Sequence, residues 1–173
     1  MSDSKWYVAY THSRSEKKVY AHFQHQALEA YLPLHRIKRQ WSDRSKWVEV
    51  PLFSSYVFVK TTADRLYALR AIDGVARFLR FEDRFATICE SEIEWIKKLL
   101  CESEELRVHP QRWVKGQAVR VVSGPLAGLE GTMVEAQNKK RIVVEIKGIA
   151  QKLSVSIPAD ALQPLRAYNN ATN

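Results

Sequence analysis

The sequence predicts an α+β protein: an N-terminal antiparallel sheet with packed helices, followed by a small β-barrel. Two observations lead to this prediction. Up to about residue 102, segments typical of strands alternate with segments of helical periodicity, whereas beyond residue 112 the apolar residues recur at every second position. A polar stretch separates the two patterns, so we expect two domains joined by a linker.

The first strand and helix are predicted near the N-terminus. Residues 6–10 are rich in aromatic side chains and bounded by polar ones, as in a strand. Ser13 with Glu16 three residues later forms a capping box, which predicts the start of a helix. Its buried face would carry Val19, Phe23 and Ala27.

A hairpin and a central strand are predicted next. Residues 30–34 are extended, and Pro33 places them near a sheet edge or at a strand end. The polar residues 42–46 form the expected tip of a hairpin between two strands, the second of which runs from Trp47 to Lys60 and includes residues 56–59. Residues 56–59 (Tyr-Val-Phe-Val) are apolar on both faces, which is typical of a central strand.

Two more helices complete the predicted first domain, giving the order β-α-β-β-α-β-α. One begins near Thr62, turns Leu66 and Leu69 inward, and ends before Gly74. Residues 75–81 form another strand. A second capping box, Ser91 with Glu94, then opens a helix. The apolar face of this last helix would carry Ile93, Ile96 and Leu100.

The domain boundaries follow from these patterns. We expect a first domain at residues 1–102, a linker at 103–112, a barrel at 113–167 and a frayed tail at 168–173. The barrel prediction rests on four short alternating strands in about fifty residues. These strands are residues 118–122, 131–135, 141–146 and 152–157.

Composition and motifs exclude several classes of protein. The 173 residues are 46% hydrophobic, without a run of the roughly 20 apolar residues that span a bilayer. We find no signal peptide, and two cysteines, Cys89 and Cys101, are too few for a disulfide framework, so we expect a cytoplasmic protein. No HExxH, Walker or nucleophile-elbow motif occurs, and we expect no enzyme activity, no cofactor and no metal.

Two segments carry a resemblance to a known family. Residues 51–59 (PLFSSYVFV) resemble the PLFPGYVFV signature of the NusG N-terminal (NGN) domain, with Ser54 and Ser55 where the signature has Pro-Gly. Because of this departure, the sequence does not decide whether a tight turn forms at this point, whereas the strand after it is still expected. Residues 114–131 resemble the KOW motif, which implies an SH3-like barrel. Residues 39–50 are most similar to the specialised UpxY-type paralogues, which resemble RfaH in serving selected operons.

The resemblance implies binding sites in the first domain. In the family, the matching aromatic residues bind the β′ clamp helices of RNA polymerase. For each corresponding residue of this chain, a position in the hydrophobic core is the alternative. In this chain they are Tyr10, Phe53, Tyr56 and Phe58. The net charge of +8 fits a nucleic-acid partner, and RfaH-like proteins read the non-template DNA strand near the first helix. The corresponding residues are His12, Arg14, Lys17, Lys18 and His22, with an ordinary solvated face as the alternative.

Further basic residues lie along the predicted hairpin, interleaved with Trp41 and Trp47. This pattern suits the binding of single-stranded DNA. The basic residues are Arg36, Lys38, Arg39, Arg44 and Lys46. In the KOW segment, turn residues supply backbone freedom. These are Gly116, Gly124, Pro125, Gly128 and Gly131. Because the later strands are rich in β-branched residues, we expect a permanent barrel rather than the helical hairpin that RfaH can form.

The resemblance implies an operon-specific antitermination factor, a monomer that binds the β′ clamp helices and β subunit of RNA polymerase and the non-template strand. Its KOW domain would recruit a ribosomal protein or a termination factor. A general NusG-type elongation or termination cofactor, an RNA-binding KOW protein of the ribosome and an enzyme with an unrecognised site remain as alternatives.

Overall fold

The chain folds into two compact units, the first spanning Met1–Ile96 and the second most of the remaining residues. The computed structural model describes residues 3–41, 44–102, 107–109, 116, 118–136, 139–146, 151–157 and 161–165. The predicted tail at 168–173 and most of the predicted linker lie outside the described residues.

An antiparallel sheet forms the centre of the first unit. The strands are β1 (Lys5–Thr11), β2 (Glu29–Tyr31), β3 (Leu34–Gln40), β4 (Ser45–Pro51), β5 (Tyr56–Thr61), β6 (Val75–Phe78), β7 (Arg80–Phe81), β8 (Arg84–Phe85) and β9 (Thr87–Ile88). The central sheet has the order β2-β5-β1-β6, and β9 also pairs with β1. The predicted antiparallel sheet is therefore confirmed, and β5 has the interior position expected of residues 56–59.

Three helices accompany these strands in the described residues. They are α1 (Glu16–His25), α2 (Leu66–Leu69) after a 3-10 turn at Ala63–Arg65, and α3 (Glu90–Glu102). One face of the sheet packs with α1 and α2 into a core. Tyr7 and Ala9 of β1, opposite Val59 and Val57 of β5, belong to it. This core buries one face of the sheet and leaves the other for further contacts.

The start of α1 differs from the prediction. The helix begins at Glu16, and Ser15, which precedes it, makes no side-chain capping bond. Ser13 therefore does not cap the helix. The Glu16 carboxylate is buried and accepts a hydrogen bond from the Ser55 N–H instead. The capping box was wrong because a partner distant in sequence uses this carboxylate.

The second capping box is displaced by two residues. The α3 helix begins at Glu90, and the Glu92 carboxylate accepts a hydrogen bond of 3.1 Å from the N–H of Cys89. Glu92 thus makes the contact predicted for Glu94, because it is the third residue of the helix.

The buried faces of the helices follow the predictions with two corrections. Val19 and Phe23 of α1 are buried, but Ala27 lies beyond the helix end, exposed and with a positive φ. In α3, Leu99 is buried and Leu100 only half-buried. The predicted buried residues Leu66, Leu69, Ile93 and Ile96 are all confirmed.

The predicted hairpin is formed by β3 and β4, which pair in register from Leu34 with Pro51 to Gln40 with Ser45. The single strand predicted from Trp47 to Lys60 was wrong, because a turn between Pro51 and Tyr56 divides it into β4 and β5. Ser42 and Asp43 of its predicted tip lie outside the described residues. A smaller hairpin of β7 and β8 pairs Phe81 with Arg84.

The second unit is an antiparallel sheet. Its strands are β10 (Arg107–His109), β11 (Ala118–Val121), β12 (Glu130–Ala136), β13 (Lys139–Ile146), β14 (Gln151–Ser156) and β15 (Leu162–Pro164). Their order is β10-β14-β13-β12-β11-β15. The four predicted strands are present. Among the described residues this order is an open path, so closure into a barrel stays a prediction.

The two end strands of this sheet were not predicted. Strand β10 pairs with β14 although it lies in the segment expected to be a linker, and β15 pairs with β11. Each has three residues, too few for alternation to show in the sequence.

Candidate functional site

The second face of the central sheet carries alternate residues of β1 and β5. Opposite pairs on this face are Val8 with Phe58 and Tyr10 with Tyr56, while Trp6 lies opposite Lys60. Because side chains alternate along a strand, these residues point away from the core that contains Tyr7 and Ala9. The expected polymerase-binding residues Tyr10, Tyr56 and Phe58 thus share one face.

One end of this face is closed by polar contacts with the start of α3. Trp6 Nε1 and Lys60 Nζ each donate a hydrogen bond of 2.8 Å to Glu90 Oε2. Lys60 Nζ also lies 5.8 Å from the centre of the Trp6 ring. The hydrogen bond from Lys60 to Glu90 raises the pKa of Lys60. Trp6 is buried, and this end offers little open apolar surface.

The other end carries half-buried aromatic rings. Tyr10 and Tyr56 pack edge to face with their ring centres 5.6 Å apart, and the Arg77 guanidinium lies 5.2 Å from the centre of the Tyr10 ring. Tyr31 is half-buried and stacks on Phe58 at 6.3 Å. We call Tyr10, Tyr31, Tyr56 and Arg77 the aromatic patch.

Phe53 and Phe58 do not line an open surface. Phe53 is 2% exposed and Phe58 is fully buried, and their rings contact each other edge to face at 6.2 Å. The expectation that these two residues contact a partner through an open groove was wrong. Phe58 also contacts the patch, because its ring stacks against Tyr31, its partner in strand pairing.

The turn before β5 fixes the position of Tyr56. Ser55 has φ 65°, in the left-handed region, and Tyr56 N–H donates to the Phe53 carbonyl at 3.3 Å. Thr11 N–H donates to the Ser55 carbonyl at 2.8 Å, and Ser55 N–H donates to Glu16 at 2.8 Å. The tight turn therefore forms although serine replaces glycine, and both the N–H and the carbonyl of Ser55 are hydrogen-bonded.

The five basic residues expected to contact nucleic acid are all exposed, on α1 and the loop before it. Two of them already have partners. Lys17 Nζ donates to the Glu49 carbonyl at 3.2 Å, and Lys18 Nζ lies 2.5 Å from Asp73 Oδ2. Lys18 lowers the pKa of Asp73 through this hydrogen bond, and the nearby His22 acts in the same direction. The structure thus brings Lys18, His22 and Asp73 together. His12 and Arg14 lie in the loop.

The turn residues of the second unit have distinct roles. Gly124 and Gly128 have φ values of 80° and 91°, which a residue with a side chain rarely adopts. Pro125 lies between them, in the turn that Ala127 N–H closes on the Gly124 carbonyl. A Cβ atom at Gly116 would collide with the Met133 carbonyl oxygen. Gly131 lies in β12, opposite Val119.

Several contributors to the site were not predicted from the sequence. Arg77 and Tyr31 join the patch through strand pairing, Arg77 opposite Tyr10 and Tyr31 opposite Phe58. The link between Glu16 and Ser55 spans 39 positions of the chain. Alternation in residues 75–78 and 29–31 is the only signal available, and these strands are too short to assign faces from it.

Comparison with known proteins assigns the chain to a family. Residues 4–97 match the NusG model, described as transcription termination factor nusG. The chain belongs to the NusG family. It is therefore a NusG-family transcription termination/antitermination factor.

Relatives align along most of the chain. The transcription termination/antitermination protein NusG of Halalkalibacterium halodurans is 24% identical over 170 residues, covering 90% of this chain and 95% of the relative. The protein of that name from Pasteurella multocida is 26% identical over 166 residues, covering 84% and 88%. The solved structure of Thermotoga maritima NusG covers 95% of this chain and 98% of its own, with 19% identity and a TM-score of 0.61. This last likeness shows a NusG-like fold.

Other kinds of site find no support in the part of the chain that the structure describes. That part contains no group of three or more His, Cys, Asp or Glu residues placed to hold a metal ion. None of its helices is long and apolar enough to cross a membrane. Cys89 and Cys101 are both exposed thiols.

Proposed function

We propose that this NusG-family chain is an operon-specific antitermination factor that binds RNA polymerase across its clamp and promotes processive elongation. The observation that carries the proposal is the aromatic patch, where Tyr10 and Tyr56 remain half-buried on a sheet face whose neighbouring residues are covered. Trp6, Phe53 and Phe58 beside them are buried. A partner would complete the burial of the two tyrosine rings.

The chemistry of the patch suits a protein interface. Tyrosine and arginine are frequent in the energetically dominant parts of interfaces, because each offers a large contact area with a polar end. The Arg77 guanidinium over Tyr10 adds a charge that an acidic side chain of the partner can pair with. The β′ clamp helices of the polymerase are the partner that the family resemblance implies, with a second contact to the β subunit.

The exposed basic surface of α1 supports a role in binding the non-template DNA strand. His12, Arg14 and His22 are exposed, and Lys18 forms an ion pair with Asp73. Binding polymerase and DNA together would stabilise the closed-clamp, elongating state over the paused state, since a ligand shifts an equilibrium by its differential affinity for the two states.

The second unit would recruit another partner, a ribosomal protein or a termination factor. We propose that residues 113–167 form a closed SH3-like barrel, joined to the first domain at residues 1–102 through residues 103–112, of which Arg107–His109 add strand β10 to the sheet of the second unit. The turn glycines and the paired strands β11 to β14 support this arrangement. The protein would act as a monomer in the cytoplasm.

Transcription with purified polymerase tests the proposal. One template carries the leader of a long operon that the gene accompanies, and a control template carries an unrelated leader. We expect the protein to shorten pausing or raise read-through on the first template only. Equal effects on both templates would favour a general NusG-type factor. Co-purification with ribosomes and not with polymerase would favour an RNA-binding KOW protein and contradict the proposal.

A further inference from the structure

A concave surface of the first unit combines arginines with aromatic rings. It encloses about 350 Å³ between α2, β6 and the hairpin of β7 and β8. We call it the arginine pocket. Its lining residues are Leu66, Tyr67, Arg70, Arg77, Phe78, Leu79, Arg80 and Phe85.

The pocket concentrates positive charge without compensation. Arg70, Arg77 and Arg80 line it, and its lining includes no carboxylate. In the described part of the chain, cations elsewhere do form ion pairs, as Lys18 does with Asp73 and Lys60 with Glu90. None of the three pocket arginines does so within those residues. The Arg77 guanidinium lies over the Tyr10 ring, so Arg70 and Arg80 are the cations left to the pocket, and a bound anion would reduce the repulsion between them.

The aromatic rings give the pocket a second recognition element. Tyr67 is 70% exposed although it is a large ring, and it packs edge to face with Phe85 at 6.0 Å. The Arg80 guanidinium lies 5.1 Å from the centre of the Phe85 ring, and its Nη2 donates to the Asp83 carbonyl at 2.9 Å. Phe85 and Arg80 are thus held in place, and an exposed tyrosine ring stands beside fixed positive charge.

We propose that the arginine pocket binds one nucleotide unit of a single-stranded nucleic acid. The base would stack on Tyr67, and Arg70 and Arg80 would bind the flanking phosphates. An exposed aromatic ring next to cations is the combination that single-strand binding proteins use, because every base has a face that can stack. The volume matches that of pockets for small ligands. An acidic peptide would satisfy the arginines but would leave the Tyr67 ring exposed.

This site extends the proposed nucleic-acid role beyond the surface of α1 and needs no polymerase for its test. Fluorescence anisotropy of labelled single-stranded DNA and RNA, titrated with the full chain over a series of salt concentrations, measures it. Tyr67→Leu should weaken binding roughly tenfold, because it keeps the apolar bulk and loses the stacking face. Tyr67→Phe should bind like the wild type. Arg70→Gln should reduce the salt slope by about 0.7, the value for one lost phosphate contact on a single strand.

Arg84→Gln is the matched control, since Arg84 is an exposed arginine of the same small hairpin that does not line the pocket. A smaller loss for Arg84→Gln than for Arg70→Gln supports the pocket. Equal losses in the two variants, or wild-type binding by Tyr67→Leu, would overturn the proposal. The proposal is also overturned if the Tyr67→Leu variant keeps wild-type affinity for single-stranded DNA and RNA and loses affinity only for an acidic peptide. Because polymerase is absent, failure here leaves the polymerase proposal untouched.

Discussion

The buried carboxylate of Glu16 accepts a hydrogen bond from the backbone N–H of Ser55, 2.8 Å away. This bond joins the first turn of α1 to the turn that precedes β5. Because the Ser55 carbonyl is also bound, by Thr11 N–H, the turn is fixed to β1 as well. Tyr56 follows immediately and is thereby placed against Tyr10.

The backbone of Ser55 gives a first prediction. At φ 65° a residue with a Cβ atom is strained by about 1–2 kcal/mol, whereas glycine is not. Glycine loses more conformational entropy on folding, about 0.5–1 kcal/mol, which offsets part of this gain. Ser55→Gly should therefore raise the free energy of unfolding by up to about 1 kcal/mol, measured by urea denaturation.

Ser54→Gly serves as the control for this prediction. Ser54 is exposed and its φ is not positive, so glycine there should leave stability unchanged or lower it. A Ser55→Gly protein less stable than the wild type would show that the strain is not present in solution.

The contact between Lys18 and Asp73 predicts a gain of function. Asp73 draws the Lys18 ammonium away from any phosphate and adds a negative charge to the α1 surface. Asp73→Asn should raise the affinity for single-stranded DNA several-fold and steepen its salt dependence by about 0.7 for one added phosphate contact. Filter binding over a salt series measures both.

Asp64→Asn makes the same change of charge at an exposed position away from this ion pair. We expect a smaller rise in affinity from it. If the two variants gain equally, net charge and not Lys18 controls binding, and the assignment of this surface loses its basis.

His35 predicts a dependence of stability on pH. Burial lowers its pKa from the ordinary 6.5, so the folded state holds this proton less tightly than the unfolded state does. Its contribution to stability is then present above the unfolded pKa and is lost as the pH falls through 6.5 towards the folded pKa. Wild-type stability should decline over this window, and His35→Gln should decline less. If the free energy of unfolding, measured by urea denaturation at successive pH values, falls with the same slope in the wild type and in His35→Gln, burial of His35 is not the cause.

The central sheet and the hairpin could be predicted from the sequence because their patterns are local. Residues 56–59 are apolar on both faces, and β3 and β4 flank a polar tip. Alternation puts Tyr56 and Phe58 on one face of their strand, whereas Tyr10 joins them through the pairing of β1 with β5, which the sequence did not show. The depth of burial was not predictable, since Phe53 and Phe58 are covered by residues that pairing brings near, such as Tyr31 opposite Phe58.

The helix starts show a second limit of sequence reasoning. Both predicted capping boxes had the correct residue types at the correct spacing. In α1 the carboxylate of Glu16 bonds to a residue 39 positions away, which no local pattern reveals. In α3 three nearby glutamates compete, and the helix begins so that Glu92 contacts Cys89. The short end strands β10 and β15 form only because longer strands beside them supply hydrogen-bonding partners.

The affinity of the full chain for purified RNA polymerase tests the central claim most directly, with thermal melting of each variant alongside. Tyr20→Ala is the control, because Tyr20 is also half-buried but packs against the core on the opposite face of the sheet. Tyr10→Ala and Tyr56→Ala should each weaken binding roughly 30-fold, as for interface residues worth about 2 kcal/mol, while Tyr20→Ala binds like the wild type. Folded Tyr10→Ala and Tyr56→Ala proteins with wild-type affinity would contradict the account, as would a Tyr56→Ala protein that melts as early as expected for a core aromatic lost at about 3–5 kcal/mol.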